Sequence, residues 1–317
     1  MSMQPSDGLD VNKTFNAEDV RNATANPDMP KSRLTIILAL ITLYIIWGTT
    51  YLAQRIALDS FPPFLLAGIR FVIAGSVMLA FLRTRGMSMP TLKQWLGSIL
   101  IGTLLFLGGS GGVTFAEQWV TSGLAAVATG AMPLWIALFA GLFGRWPTRM
   151  EWYGLIVGFA GLLLLNLGHG ISATNVLGPI VLLVSPICWA FGSILSQHLA
   201  QPKGAMASAA QLLGGGAVLL LVGLGSGEHV AQAPSASAIW AMLFLIGGGS
   251  LVGFTTYGYL LSRVRPSLAT SYAYVNPIVA VGLGVWFAGE QISLPGILAM
   301  LVILGGVVLV TMGRTHK

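Results

Sequence analysis

The chain has 317 residues, of which 8% are charged and 55% hydrophobic, with a formal net charge of +6 and a mean hydropathy of +0.81. Soluble domains carry roughly 25% charged residues, so a water-soluble globular protein is excluded and a membrane protein is indicated. A pI of 9.7 does not point to nucleic acid, because the basic residues are spread over short loops, where they set topology and meet anionic lipid headgroups.

The tail Met1 to Arg33 holds half of the acidic residues and no apolar run. Too little of it can be buried to offset its ordering entropy, which predicts a disordered, cytoplasmic segment over residues 1–33. From Leu34 onward apolar segments recur, each long enough to cross a roughly 30 Å hydrocarbon core as a helix. Ten are predicted, over residues 34–57, 63–82, 94–115, 121–144, 151–168, 177–199, 206–225, 237–261, 267–288 and 294–313. The fold class is therefore all-α and membrane-spanning. No signal-peptide pattern opens the chain, so the first helix is expected to insert as an uncleaved anchor.

Charge tests that count. Every basic residue except Arg55 and Arg70 falls in the tail or in alternate loops, at Arg83 to Lys93, Arg145 to Arg149, Lys203, Arg263 to Arg265 and Arg314 to Lys317. The opposite loops carry Asp59, Glu117, Glu228 and Glu290 and no lysine. Lys and Arg collect in cytoplasmic loops, so ten helices with both termini inside account for the pattern. Arg55 lies one turn before Asp59, where an i,i+4 pair or snorkelling costs little.

The two halves resemble each other. SGLAAVATGAMPLWIALFAGLF from Ser122 lies over PSLATSYAYVNPIVAVGLGVWF from Pro266, with Pro133 meeting Pro277, and Trp47 meets Trp189 at an offset of 142. Five helices per half is an odd number, so residues 34–168 and 177–313 must cross in opposite senses, as inverted repeats do in many secondary transporters. The paired prolines each remove a helical hydrogen bond near the midplane. The carbonyls so freed, of Thr129 and Ala273, must face protein or a water-filled cavity; a plain kink is the other reading. Glycine is abundant, 41 residues. Gly154 with Gly158, Ala137 with Gly141, and the triplets at 214–216 and 247–249 read as close helix contacts.

At WGTTYLAQRIALDSFPPFLLAGIRF, and again at RPSLATSYAYVNPIVAVGLG followed by Gly289-Glu290, the chain resembles the ten-helix EamA-type branch of the drug/metabolite transporter superfamily. The resemblance covers about residues 34 to 313, with the stretch from Ala269 to Pro277 its most specific part, and looks nearest to bacterial inner-membrane members related to the aromatic amino acid exporters. It implies export of small metabolites by alternating access through a central cavity between two five-helix repeats. Many members carry an acid after the glycine that ends the fourth helix of each repeat. Here Glu290 fits, but Arg145 follows Gly144, a departure that weighs against a symmetric role for that acid.

Arg70 stands in a run with no other charge from Phe61 to Leu82, roughly 10 Å below the outer end of its helix at the usual rise. Either it faces the cavity as a fixed cation for a substrate carboxylate, or it snorkels to the outer headgroups. Glu117 is its nearest candidate partner by depth. It and Glu290 read either as coupling acids, protonated through desolvation, or as solvated loop acids. Trp47 and Trp189 sit inside the membrane rather than in the interfacial belts, and Tyr272 and Asn276 share a helix face before Pro277. Aromatic walls with a few polar groups suit an amphipathic molecule; Tyr257 and Gln118 are weaker candidates. Pro133 and Pro277 are expected to shape the cavity floor.

LGGSGG at residues 107 to 112 matches the G-x-S-x-G of serine hydrolases at Ser110, but the histidines at 169, 198, 229 and 316 all fall at helix ends, in loops or in the tail. The match reads as accidental in a glycine-rich chain. Cys188 is the only cysteine, and neither H-E-x-x-H nor a phosphate-binding Lys motif occurs, so no metal or cofactor is called for. The expected function is export of small amphipathic metabolites, amino acids and aromatic ones among them, across a bacterial inner membrane. A drug or organic-cation exporter is the alternative, and an intramembrane serine protease a third reading. The expected partners are a small-molecule substrate and the lipid bilayer, without nucleic acid; a homodimer is left open.

Overall fold

The structure, a computed structural model, describes residues 28–119, 129–166, 175–288 and 294–312. Among the described residues there is no strand; the chain runs through helices joined by short turns. In order these are α1 (Asp28–Leu58), α2 (Pro63–Thr84), α3 (Leu92–Ala116), α4 (Met132–Leu142), α5 (Arg149–Asn166), α6 (Leu177–Leu195), α7 (Ala205–Gly225), α8 (Ala236–Arg263), α9 (Pro266–Ala269), α10 (Tyr272–Ala288) and α11 (Leu294–Met312). Six of them, from α1 to α3 and from α6 to α8, are long and apolar enough to cross a membrane, and α4 and α11 are shorter apolar helices. The chain divides into Met1–Leu38 and the body Ala39–Lys317. In the first unit the described helix starts at Asp28, five residues before the tail was expected to end.

The helix ends follow from their sequences. Pro63 opens α2, where a missing N–H is harmless. The Glu228 carboxylate accepts the N–H groups of Phe64 at 3.2 Å and Leu65 at 2.8 Å, placing an acid on the positive end of that helix. Thr91 and Gln94 cap α3 reciprocally, as Thr148 and Glu151 do for α5. Gly144, at φ +84°, ends the α4 segment in the left-handed conformation that glycine adopts without strain.

The core is made by helices from opposite halves. α7 packs along α2 and α3, and α11 along α5. Small residues permit this: a methyl group on Gly216 would sit 2.8 Å from the Val72 nitrogen, and one on Gly306 2.5 Å from the Gly158 nitrogen. The triplet at 214–216 and Gly154 with Gly158 are thus close contacts, whereas a methyl group added on Gly247 would meet nothing within 4 Å.

Three details depart from the sequence reading. First, α3 and α8 are not uniformly α-helical: Thr103–Gly111 and Leu245–Val252 are π-helical, and their starts differ by the same 142 residues that relate Trp47 to Trp189. Second, the helix is interrupted at Ala131 and at Thr270–Ser271, not at the prolines. Pro133 lies in the first turn of α4, and Pro277 continues inside α10. The Thr270 hydroxyl donates to the Pro266 carbonyl at 2.8 Å and the Ser271 hydroxyl to that of Leu268 at 2.7 Å, so side chains satisfy the backbone groups that a break exposes. Third, of the two readings of Arg55, the pair with Asp59 is not formed. Among the described residues the one ion pair joins Arg265 to Glu151 at 2.5 Å; Glu151 is 1% exposed and also accepts from the Ser267 hydroxyl at 2.7 Å.

Candidate functional site

A partly open cavity of about 80 Å³ lies within the body of the protein. Helical spacing builds its wall. Trp47, Thr50, Tyr51 and Gln54 recur at i, i+3, i+4 and i+7 and present one face of α1. Gly109, Ser110 and Val113 do the same from α3, Ser185, Pro186 and Trp189 from α6, and Tyr272 and Asn276 from α10. The π-helical stretch of α3 brings its glycine backbone to the cavity. A methyl group on Gly109 would lie 2.7 Å from the Trp189 ring, so only glycine lets indole and helix meet there.

Arg70 lines this cavity and is 4% exposed, which answers between cavity and headgroup in favour of the cavity. Its Nη1 donates to Gln54 Oε1 at 3.1 Å, and the Thr114 hydroxyl donates to the same oxygen at 3.2 Å. The guanidinium carbon lies 4.3 Å from the Phe71 ring centroid, and Phe71 packs on Phe106 at 4.4 Å. The cation is thereby held by an amide and an aromatic face, with Nε left buried and without a hydrogen bond. No Asp, Glu or Lys stands among the described lining residues. A buried cation without a carboxylate is electrostatically incomplete, and an incoming anion would complete it.

One wall is aromatic. Trp47 lies 4.5 Å from Tyr272, edge to face, 5.1 Å from Phe254, 5.4 Å from Tyr257 and 5.8 Å from Trp189, within the range where rings attract beyond their burial. The Trp47 indole N–H donates to the Gly249 carbonyl at 3.0 Å, in the π-helical stretch of α8. The Trp189 indole N–H and the Asn276 carbonyl oxygen are buried with no partner.

Of the residues singled out in the sequence, Arg70, Trp47, Trp189, Tyr272 and Asn276 are brought to one cavity. Pro133 and Pro277 do not line it; their neighbours Met132 and Asn276 do. Tyr257 stands behind the aromatic wall, its hydroxyl donating to Ser193 at 2.8 Å, and Gln118 is exposed, bonded to its own turn. Glu117 is not the partner of Arg70. It is half-buried just past α3, and burial pushes its carboxyl up to about 7, against the pull of Arg55. Glu290 lies outside the described residues. Gln54 was missed, although its place seven residues after Trp47 on one helix face could have found it. The histidines at 198 and 229 bond to nearby carbonyls and do not line the cavity beside Ser110.

An all-helical membrane body around a central polar and aromatic cavity is the architecture of a carrier, and comparison with known proteins places it. The chain belongs to the EamA-like transporter family, matching it over residues 34–167 and again over 176–312. It is similar to the uncharacterized inner membrane transporter YedA of Escherichia coli strain K12, 45% identical over 277 residues that cover 87% of this chain and 90% of that one. It is also similar to the uncharacterized transporter YoaV of Bacillus subtilis, 28% identical, covering 86% of this chain and 95% of that one. One solved crystal structure superposes with a TM-score of 0.73 over 87% of this chain and 97% of its own at 24% identity, a likeness of fold. The protein is accordingly a multi-pass transporter of the inner membrane.

Proposed function

We propose that the protein is a secondary carrier that exports small amphipathic metabolites, amino acids foremost, by alternating access. In this reading ten helices, both termini cytoplasmic, form two inverted five-helix repeats over residues 34–168 and 177–313, which expose the cavity to each side in turn. The observation that carries it is Arg70, a buried cation in a cavity whose described lining holds no acid. Such a cation favours a substrate carboxylate, and the Trp47, Trp189 and Tyr272 wall favours an apolar or aromatic side chain. The same wall would suit a flat organic cation, but the charge at Arg70 opposes one. Without a nucleotide site in the sequence, the driving force is an ion or substrate gradient, and Glu117 is the candidate coupling acid.

The test is counterflow of a labelled amino acid panel into proteoliposomes beside Arg70→Ala and Arg70→Lys proteins of verified folding. Uptake of one chemical group, lost with alanine and partly kept with lysine, is the expected result. Uptake indifferent to both substitutions would move the anchor elsewhere. No uptake of any amino acid would end the substrate assignment, and cationic drugs would be tried next.

A further inference from the structure

Asn276 is 2% exposed, lines the cavity, and its side-chain carbonyl oxygen has no hydrogen-bond partner. A buried acceptor left unpaired is costly, and native proteins keep few of them. The amide stands on α10 one residue before Pro277 and one turn after Tyr272, both Asn276 and Tyr272 lining the cavity. The oxygen is thus a buried acceptor beside the cavity with nothing to accept from. Arg70, on α2, offers only donors to the same cavity, one of them also unpaired. The site therefore has a donor pole and an acceptor pole on helices from opposite halves of the chain.

We propose that Asn276 accepts a hydrogen bond from the substrate's amino group, so that the site selects molecules carrying a primary ammonium as well as a carboxylate. This rests on the carboxylate reading of Arg70 and adds the second pole to it. An ammonium needs an acceptor, and the described lining offers no carboxylate to supply one. A neutral carbonyl beside aromatic faces, here Tyr272 one turn away on α10 and Trp47 4.5 Å from it, binds an ammonium by hydrogen bonding and cation–π attraction. It also leaves the total charge balanced, since Arg70 already matches the carboxylate of a zwitterion.

The experiment compares three competitors against uptake of whichever labelled amino acid the counterflow panel yields: that amino acid, its deaminated acid and its decarboxylated amine. A site built to hydrogen-bond a group rejects the analogue lacking it, so the wild-type protein should prefer the amino acid over the deaminated acid by at least about tenfold. Asn276→Leu should bring that preference to within about twofold and leave the preference over the amine intact. Asn276→Asp, which keeps an acceptor, should retain the amino-group preference and guards against a leucine protein that misfolds. Arg70→Gln should lose the other preference, that over the amine. If both Asn276 proteins keep the wild-type ratio while Arg70→Gln behaves as expected, the amino-group role of Asn276 is overturned and the carboxylate reading stands. If no amino acid is taken up at all, both fail together.

Discussion

The π-helical stretches of α3 and α8 occupy matching places in the two halves, yet their tryptophans behave differently. Trp47 reaches across to α8 and gives its indole N–H to the Gly249 carbonyl at 3.0 Å. Trp189, its counterpart by sequence, reaches α3, packs on Gly109, and keeps its N–H unpaired. Likeness of sequence between repeats thus does not carry over to likeness of contacts. The two halves that match the family model are thus in different local states, and the difference is concentrated where π-helical backbone meets indole.

The strongest way to break this contrast is steric. On Gly253 an added methyl group would overlap the Trp47 indole nitrogen, so Gly253→Ala should force the ring off Gly249 and cost about 2–4 kcal/mol from overpacking and the lost bond. Gly109→Ala presses on the untethered Trp189 and should cost only about 1 kcal/mol. Thermal unfolding in detergent would rank them, and equal losses would erase the contrast.

A gentler pair removes only the donors. Trp47→Phe should destabilise by about 1–3 kcal/mol, because the Gly249 carbonyl loses its partner, whereas Trp189→Phe discards a donor that has none and should be near neutral apart from ring size. Ser110→Ala and Ser250→Ala sharpen the comparison further. Ser250 is fully buried with an unpaired hydroxyl, so its removal should be neutral or slightly stabilising. Ser110 lines the cavity but has no assigned bond to substrate, so Ser110→Ala should leave uptake within about twofold; lost uptake would add its hydroxyl to the binding site.

A separate expected effect is electrostatic. The Glu117 carboxyl, raised by burial from 4.5 to about 7, binds its proton more tightly folded than unfolded. Its contribution to stability is complete below pH 4.5 and fades as pH rises through 7. The melting temperature of the wild-type protein should therefore fall across that window, and Glu117→Gln should flatten the slope. An unchanged slope would assign the pH response to other groups.

Much of the fold was legible beforehand. The stretch at 63–82 became Pro63–Thr84, and that at 237–261 became Ala236–Arg263, because length and apolarity alone select membrane-spanning helices. The π-helical stretches were not legible, since GGSGG and GGGS read equally well as helix-packing glycines. The break at Thr270–Ser271 was hidden behind the more conspicuous Pro277. Part of the site was visible as exceptions to apolarity, above all Arg70 and Asn276. Thr114 and the Glu151 clasp on Arg265 and Ser267 were not, because their roles depend on partners 60 to 116 residues away; Gln54 was overlooked although its helix face pointed to it.

By itself the sequence determined that this chain lives in a membrane, where its helices run and how its halves correspond. Those properties follow from hydrophobicity, charge and repetition summed along the chain, which need no partner to be read. Tertiary structure alone decided which polar groups meet in one cavity, which indole is paired and which buried atoms are left wanting. Such outcomes are set by contacts between helices far apart in sequence, where a fraction of an ångström separates a hydrogen bond from an unpaired group.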